Sequence, residues 1–168
     1  SGSWIRTRGG QAARSRGKNR TGQGALTHAG FEDGREVPLH LGAMDVDDLK
    51  VLSSLAQDAV FPITEMSWHP KQRRFAILLN RFRWEDKVAS ERLGREYERV
   101  QSLLVVDGVL RVSSQGIDRG DADTILSLLA VDFEETDAPS GHVVLTLAGD
   151  GAVRLDVEAL EVTLKDVT

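Results

Sequence analysis

Residues 73–86 read RRFAILLNRFRWED, and the way this stretch divides between two faces sets the fold. Side chains alternate along a strand, so Phe75, Ile77, Leu79, Arg81 and Arg83 share one face while Ala76, Leu78, Asn80, Phe82 and Trp84 share the other. The first half is apolar on both faces, which predicts a central strand covered on both sides. The second half then leaves its cover: Arg81 and Arg83 are expected in water, with Phe82 and Trp84 still filling the core or its edge. Asn80 stands between Leu78 and Phe82 on that apolar face and would need hydrogen-bond partners if buried.

Upstream, MDVDDLKVLSSLAQDAV over residues 44–60 repeats Leu49, Leu52, Ala56, Ala59 and Val60 at helical spacing. It predicts an amphipathic helix over 45–60, capped by Asp45, with Asp47 and Asp48 in the first turn suiting the positive end of the helix dipole. After Pro62 the period becomes alternating, and seven strand candidates follow at 63–68, 74–85, 99–106, 109–116, 125–134, 142–148 and 152–164. Asp107-Gly108 and Asp150-Gly151 each separate two apolar runs and predict hairpins. LLVVDGVLRVSSQGI and TLAGDGAVRLDVEAL also resemble each other, which leaves an ancient duplication open. The charged DKVASERLGREYE, residues 86–98, suggests an exposed loop or short helix.

Residues 1–36 hold half of the chain's glycines and no sustained period, so they are expected to be a disordered basic tail adding nothing to stability. Arg6, Arg8, Arg14, Arg16, Lys18 and Arg20 face no acid within the first 30 residues, so the formal charge of −5 divides into +6 there and −11 over the rest. Order is expected from about residue 37. The whole predicts one α+β domain over 37–168, mainly antiparallel, with one N-terminal helix packed on about seven strands in a sandwich or partly open barrel.

With no cysteine, disulfides and thiolate zinc sites are excluded, and a reducing, cytoplasmic location is expected. No apolar run is long enough to span a membrane as a helix. His28, His40, His69 and His142 are scattered without a metal-ligand pair, and the Asp45 cluster reads as capping, so neither metal nor cofactor is expected. No nucleophile elbow, phosphate loop or dinucleotide fingerprint occurs. The Arg-Gly-Asp triplet at 119–121 reads as a solvated turn. The residues with binding chemistry are Arg73, Arg74, Asn80, Arg81, Arg83 and Trp84, a basic, amide-bearing patch with an indole, suited to an anionic ligand or single-stranded nucleic acid.

The segments PLHLGAMDVDDLKVLSSLAQDAV, SWHPKQRRFAILLNRFRWE and RLDVEALEVTLKDV together resemble the bacterial family known as domain of unknown function 2948, over roughly residues 37–167. The resemblance rests on Leu55, Gln57, Asp58 and Ala59, on Arg73-Arg74-Phe75, and on Asn80-Arg81-Phe82 followed by Trp84-Glu85. It implies a small cytosolic bacterial protein and carries over no catalytic residue. The expectation for function is a non-enzymatic binding or interaction module with a protein or small anionic ligand as partner. A nucleic-acid or nucleotide binder is the alternative.

Overall fold

The computed structural model describes residues 5–6, 38–86, 98–118 and 120–167. The rest of the N-terminal tail, most of the charged stretch 86–98 and Arg119 lie outside the described residues. Eleven strands form one sheet among the described residues: β1 (Ile5–Arg6), β2 (His40–Ala43), β3 (Ala59–Pro62), β4 (Met66–His69), β5 (Arg74–Phe82), β6 (Arg99–Asp107), β7 (Val109–Gln115), β8 (Ile125–Glu135), β9 (Gly141–Leu147), β10 (Gly151–Val157) and β11 (Val162–Asp166). All their pairings are antiparallel. Among the described residues one α-helix, α1, spans Val46–Ala56.

Helix α1 begins where Asp45 accepts the Asp48 amide at 2.8 Å, as the capping pattern predicts. It ends four residues earlier than expected. Asp58 takes a positive φ of 64°, and Ala59–Pro62, expected in part to continue the helix, forms β3 instead. Leu49, Leu52 and Ala56 enter the core. Near the register shift between Leu128 and Ala130 of β8, the Val131 amide donates to Ser53 Oγ at 2.9 Å and ties helix to sheet.

The strand count exceeds the expected seven for identifiable reasons. The predicted strand 152–164 is divided by residues 158–161 into β10 and β11, and β1, β2 and β3 are too short to establish a period. The Asp107-Gly108 junction is not a hairpin. β6 pairs with β5 and β11, whereas β7 pairs with β10 and β1. Gly108, at φ 73°, instead bends one long strand path, while β9 and β10 do form a hairpin, with positive φ at Gly149 and Asp150. The two similar segments therefore hold different structural roles.

Because β6 and β7 follow one path, and β10 and β11 another, the pairings β6·β11 and β7·β10 make one long ribbon. From β10 the pairings continue through β9, β8, β3 and β5 back to β6, so they run round in a ring. The core lies inside that ring. It includes Phe75, Ile77 and Leu79 of β5, Leu104 and Val106 of β6, Val143 and Leu145 of β9, and Val162 and Leu164 of β11.

Candidate functional site

The inward face of β5 does not turn to solvent at Arg81. Arg81 is 0% exposed and Arg83 8%, on the same side as Phe75, Ile77 and Leu79, so the expected exposure of both arginines is wrong. The two faces of β5 divide as alternation predicts, but the face that carries the arginines stays the inner one to the end of the strand. Phe82 and Trp84, expected in the core or at its edge, stand half-buried on the outer face with Leu78 and Asn80.

A buried guanidinium is tolerable only if its charge is balanced and all its donors are used. Both conditions hold for Arg81. Its Nε donates to Ser102 Oγ at 3.0 Å and lies 3.2 Å from Asp166 Oδ1. Its Nη1 donates to the Phe82 carbonyl at 3.0 Å and Glu85 Oε1 at 2.8 Å. Its Nη2 donates to Glu85 Oε2 at 2.7 Å and to Asp166 Oδ1 at 3.0 Å. Five N–H groups thus have five places to go, and none remains for a ligand. Ser102 closes the network by donating to Asp166 Oδ1 at 2.6 Å.

Local structure sets this geometry. β5 ends at Phe82 and a 3-10 turn over Trp84–Asp86 brings Glu85 back under Arg81. Trp84 Nε1 donates to the Gln57 carbonyl at 3.0 Å, fastening that turn to the end of α1. Arg83 Nη1 lies 4.0 Å from Glu85 Oε2, and Arg83 Nε lies 3.9 Å from Glu98 Oε1. Burial by itself would raise the Glu85 pKa, but the hydrogen bond from Arg81 chiefly offsets it and leaves the carboxyl below its ordinary value. Burial likewise disfavours the Arg81 charge, yet hydrogen bonding and attraction from Glu85, then Asp166, raise its pKa.

The predicted basic patch does not assemble. Arg73 and Arg74 lie at the other end of β5, and at the strand rise of about 3.3 Å per residue Arg74 is roughly 30 Å from Arg83. Both are exposed and paired, Arg73 with Glu158 and Arg74 Nε with Asp107 Oδ1 at 2.9 Å. Trp68 packs against the core. Asn80 is half-buried rather than buried, while Arg99 donates to its backbone carbonyl at 3.1 Å and covers the Phe82 ring at 3.9 Å. Phe82 and Trp84 rings meet at 5.2 Å.

The concavity with recognition chemistry is on the outer face, over β4, β5, β6 and β11. Ser67, Ala76, Val105 and Thr163 stand opposite one another in register and form a shallow floor of small side chains. Leu103 bounds the floor on one side, and His69, Arg74 and Gln72 on the other, leaving a hollow of about 420 Å³. His69 Nε2 lies 3.1 Å from Ser67 Oγ, a contact the sequence did not suggest. Among the described residues no carboxylate partners His69, so the contact lacks the third member that orients a catalytic base. A larger depression of about 680 Å³ at the β9–β10 turn has Asp150 as the one ionisable residue in its lining. No group of three or more metal-ligating side chains occurs among the described residues, and no helix there is long and apolar enough to cross a membrane.

Asp166 and Ser102 were missed, although a signal existed. Each occupies the apolar parity of its strand, Ser102 with Val100 and Leu104, Asp166 with Val162 and Leu164, as Arg81 does with Leu79. Three polar residues breaking three apolar faces are a reason to look for one shared network. The family model described as Protein of unknown function (DUF2948) matches residues 39–168. No curated protein and no solved structure matches the chain.

Proposed function

We propose, from the premise that the chain belongs to the DUF2948 family and so inherits no assigned activity, that it is a non-enzymatic binding module. The observation that carries this reading is the outer-face hollow, which combines a floor of small side chains and the apolar Leu103 with a polar rim of His69, Gln72 and Arg74. Its ligand is a small organic molecule with an apolar body and an anionic head. Ala76, Leu103 and Val105 receive the body. Arg74, oriented by Asp107, supplies the fork for a carboxylate, and His69, Gln72 and Ser67 supply further polar contacts.

Of the residues singled out in the sequence, Arg74 remains central to this reading, while Arg81 acts by holding the fold. The nucleic-acid alternative, a patch of Arg73, Arg74, Asn80, Arg81, Arg83 and Trp84, loses Arg81 and Arg83 to burial. In the same reading the module works in the cytosol, which suits a chain without cysteine.

Titration of isotope-labelled protein with a panel of small aliphatic and aromatic carboxylates tests the proposal. Amide shifts at Ala76, Val105 and Thr163, lost in Arg74→Gln and absent with the matching neutral amides, are expected. A panel in which no carboxylate moves these amides would overturn it.

A further inference from the structure

The N-terminal segment is not wholly apart from the sheet. Ile5 stands in register with Ser114 and Arg6 with Ser113, antiparallel to β7. They meet β7 where the ring of pairings leaves an edge. The Val109 amide donates to the Arg73 carbonyl at 2.9 Å, the last bond from this path toward β5. Beyond it, residues 110–115 have β10 on one side, and on the other no strand of the described domain core.

That edge has the properties of an acceptor. Backbone N–H and C=O groups along an unpaired edge form a template for another extended chain. Ser113 and Ser114 are only 4% and 5% exposed despite their place beside it, and their small side chains let a second backbone approach. Leu110, the extra residue where the register with β10 shifts, is 53% exposed and marks the near end of the edge. Charge favours the match as well, since the first 30 residues carry +6 and the remainder −11.

We propose that the outer edge of β7, residues 110–115, is a strand-docking surface and that the N-terminal segment containing Ile5 and Arg6 is its occupant, a displaceable strap. The strap is displaceable because its described pairing with β7 is two residues long, Ile5 and Arg6, so few backbone hydrogen bonds hold it. An equivalent peptide added from solution competes for the same backbone groups. This surface is separate from the outer-face hollow and does not depend on a ligand there.

Successive amides of a strand point to opposite sides, so one of Ser113 and Ser114 faces β10 and the other faces the strap. Amide exchange followed by NMR on the full chain identifies them. In the Ile5→Pro variant the strap-facing amide is expected to exchange about tenfold faster, with Leu104 and Leu155 unchanged as controls for the fold. A synthetic peptide of residues 2–9 should restore the protection. Equal exchange in parent and variant, or a scrambled peptide restoring protection equally well, overturns the assignment. Protection that fades on dilution would move the occupant to a second copy and overturn the strap in the same way.

Discussion

Leu39 and Asp166, 127 positions apart, hold each other twice: the Leu39 amide donates to Asp166 Oδ2 at 2.8 Å, and the Asp166 amide donates to the Leu39 carbonyl at 2.8 Å. The carboxylate that secures the chain entering β2 is also the one that balances Arg81. Two ends of the domain and its central strand therefore share one charge centre.

Arg81→Met is expected to destabilise by about 3–5 kcal/mol, because Asp166 keeps a buried charge without its partner. Arg81→Lys recovers only part of the loss, since a single ammonium cannot serve Ser102, Glu85 and Asp166 together. The double variant Arg81→Met with Asp166→Leu should cost less than the sum of the two changes. Urea unfolding midpoints of the three check this, and strict additivity would deny the coupling.

Acid should weaken the protein through Glu85. Its folded pKa lies below the unfolded one, so its contribution is complete above the ordinary value of 4.5 and is lost as pH falls below that value through the folded pKa. Glu85→Gln is therefore expected to lower stability at neutral pH and flatten its decline as pH falls below 4.5. Denaturation midpoints across that range decide it, with parallel curves for parent and variant as the contrary result.

Two glycines with positive φ should respond unequally to alanine. At Gly149, φ 80°, an added Cβ meets nothing within 4 Å, so only backbone strain of about 1–2 kcal/mol applies. At Gly116, φ 69°, the Cβ would sit 2.5 Å from the Asp150 carbonyl oxygen, and the backbone must move as well. Thermal unfolding should place Gly116→Ala clearly below Gly149→Ala.

Phe82 and Phe61 provide a further contrast. Phe61 is 1% exposed, and Phe61→Ala should cost about 3–5 kcal/mol. Phe82 lies half-buried between Trp84 and Arg99, so Phe82→Ala should cost about 1–2 kcal/mol, the scale of a ring pair and a cation over an aromatic face. Equal losses in denaturant unfolding would place Phe82 in the core after all.

Much of this fold was legible because periodicity survives without tertiary context. Asp45 caps α1, and alternation locates β5 through β9 within a few residues, whereas β10 and β11 read as a single strand over 152–164. What failed was the step from polarity to exposure. Arg81 and Arg83 looked like surface because arginine usually is, yet beside the local Glu85 the partners that complete the Arg81 network lie 21 and 85 positions away at Ser102 and Asp166. Local pattern shows that Ser102 and Asp166 each break an apolar face, but not that they meet Arg81. Gly108 misled in a similar way: positive φ was expected correctly, but whether such a bend makes a hairpin or turns a strand into new neighbours depends on β10 and β11. The hollow was invisible because its floor comes from four strands aligned only by register.

The position of β11 between β6 and β2 bears on how the molecule is made. A ribosome working at about 5–20 residues per second needs on the order of several seconds to cover the 64 positions from Ser102 to Asp166. Throughout that interval β6 keeps a bare edge, β2 has nothing to pair with, and the Arg81 charge cannot be enclosed with its full complement. The nascent chain must hold this side open to water until β11 arrives, which makes those seconds the period when a wrong strand, or a chaperone, has its best access to β6.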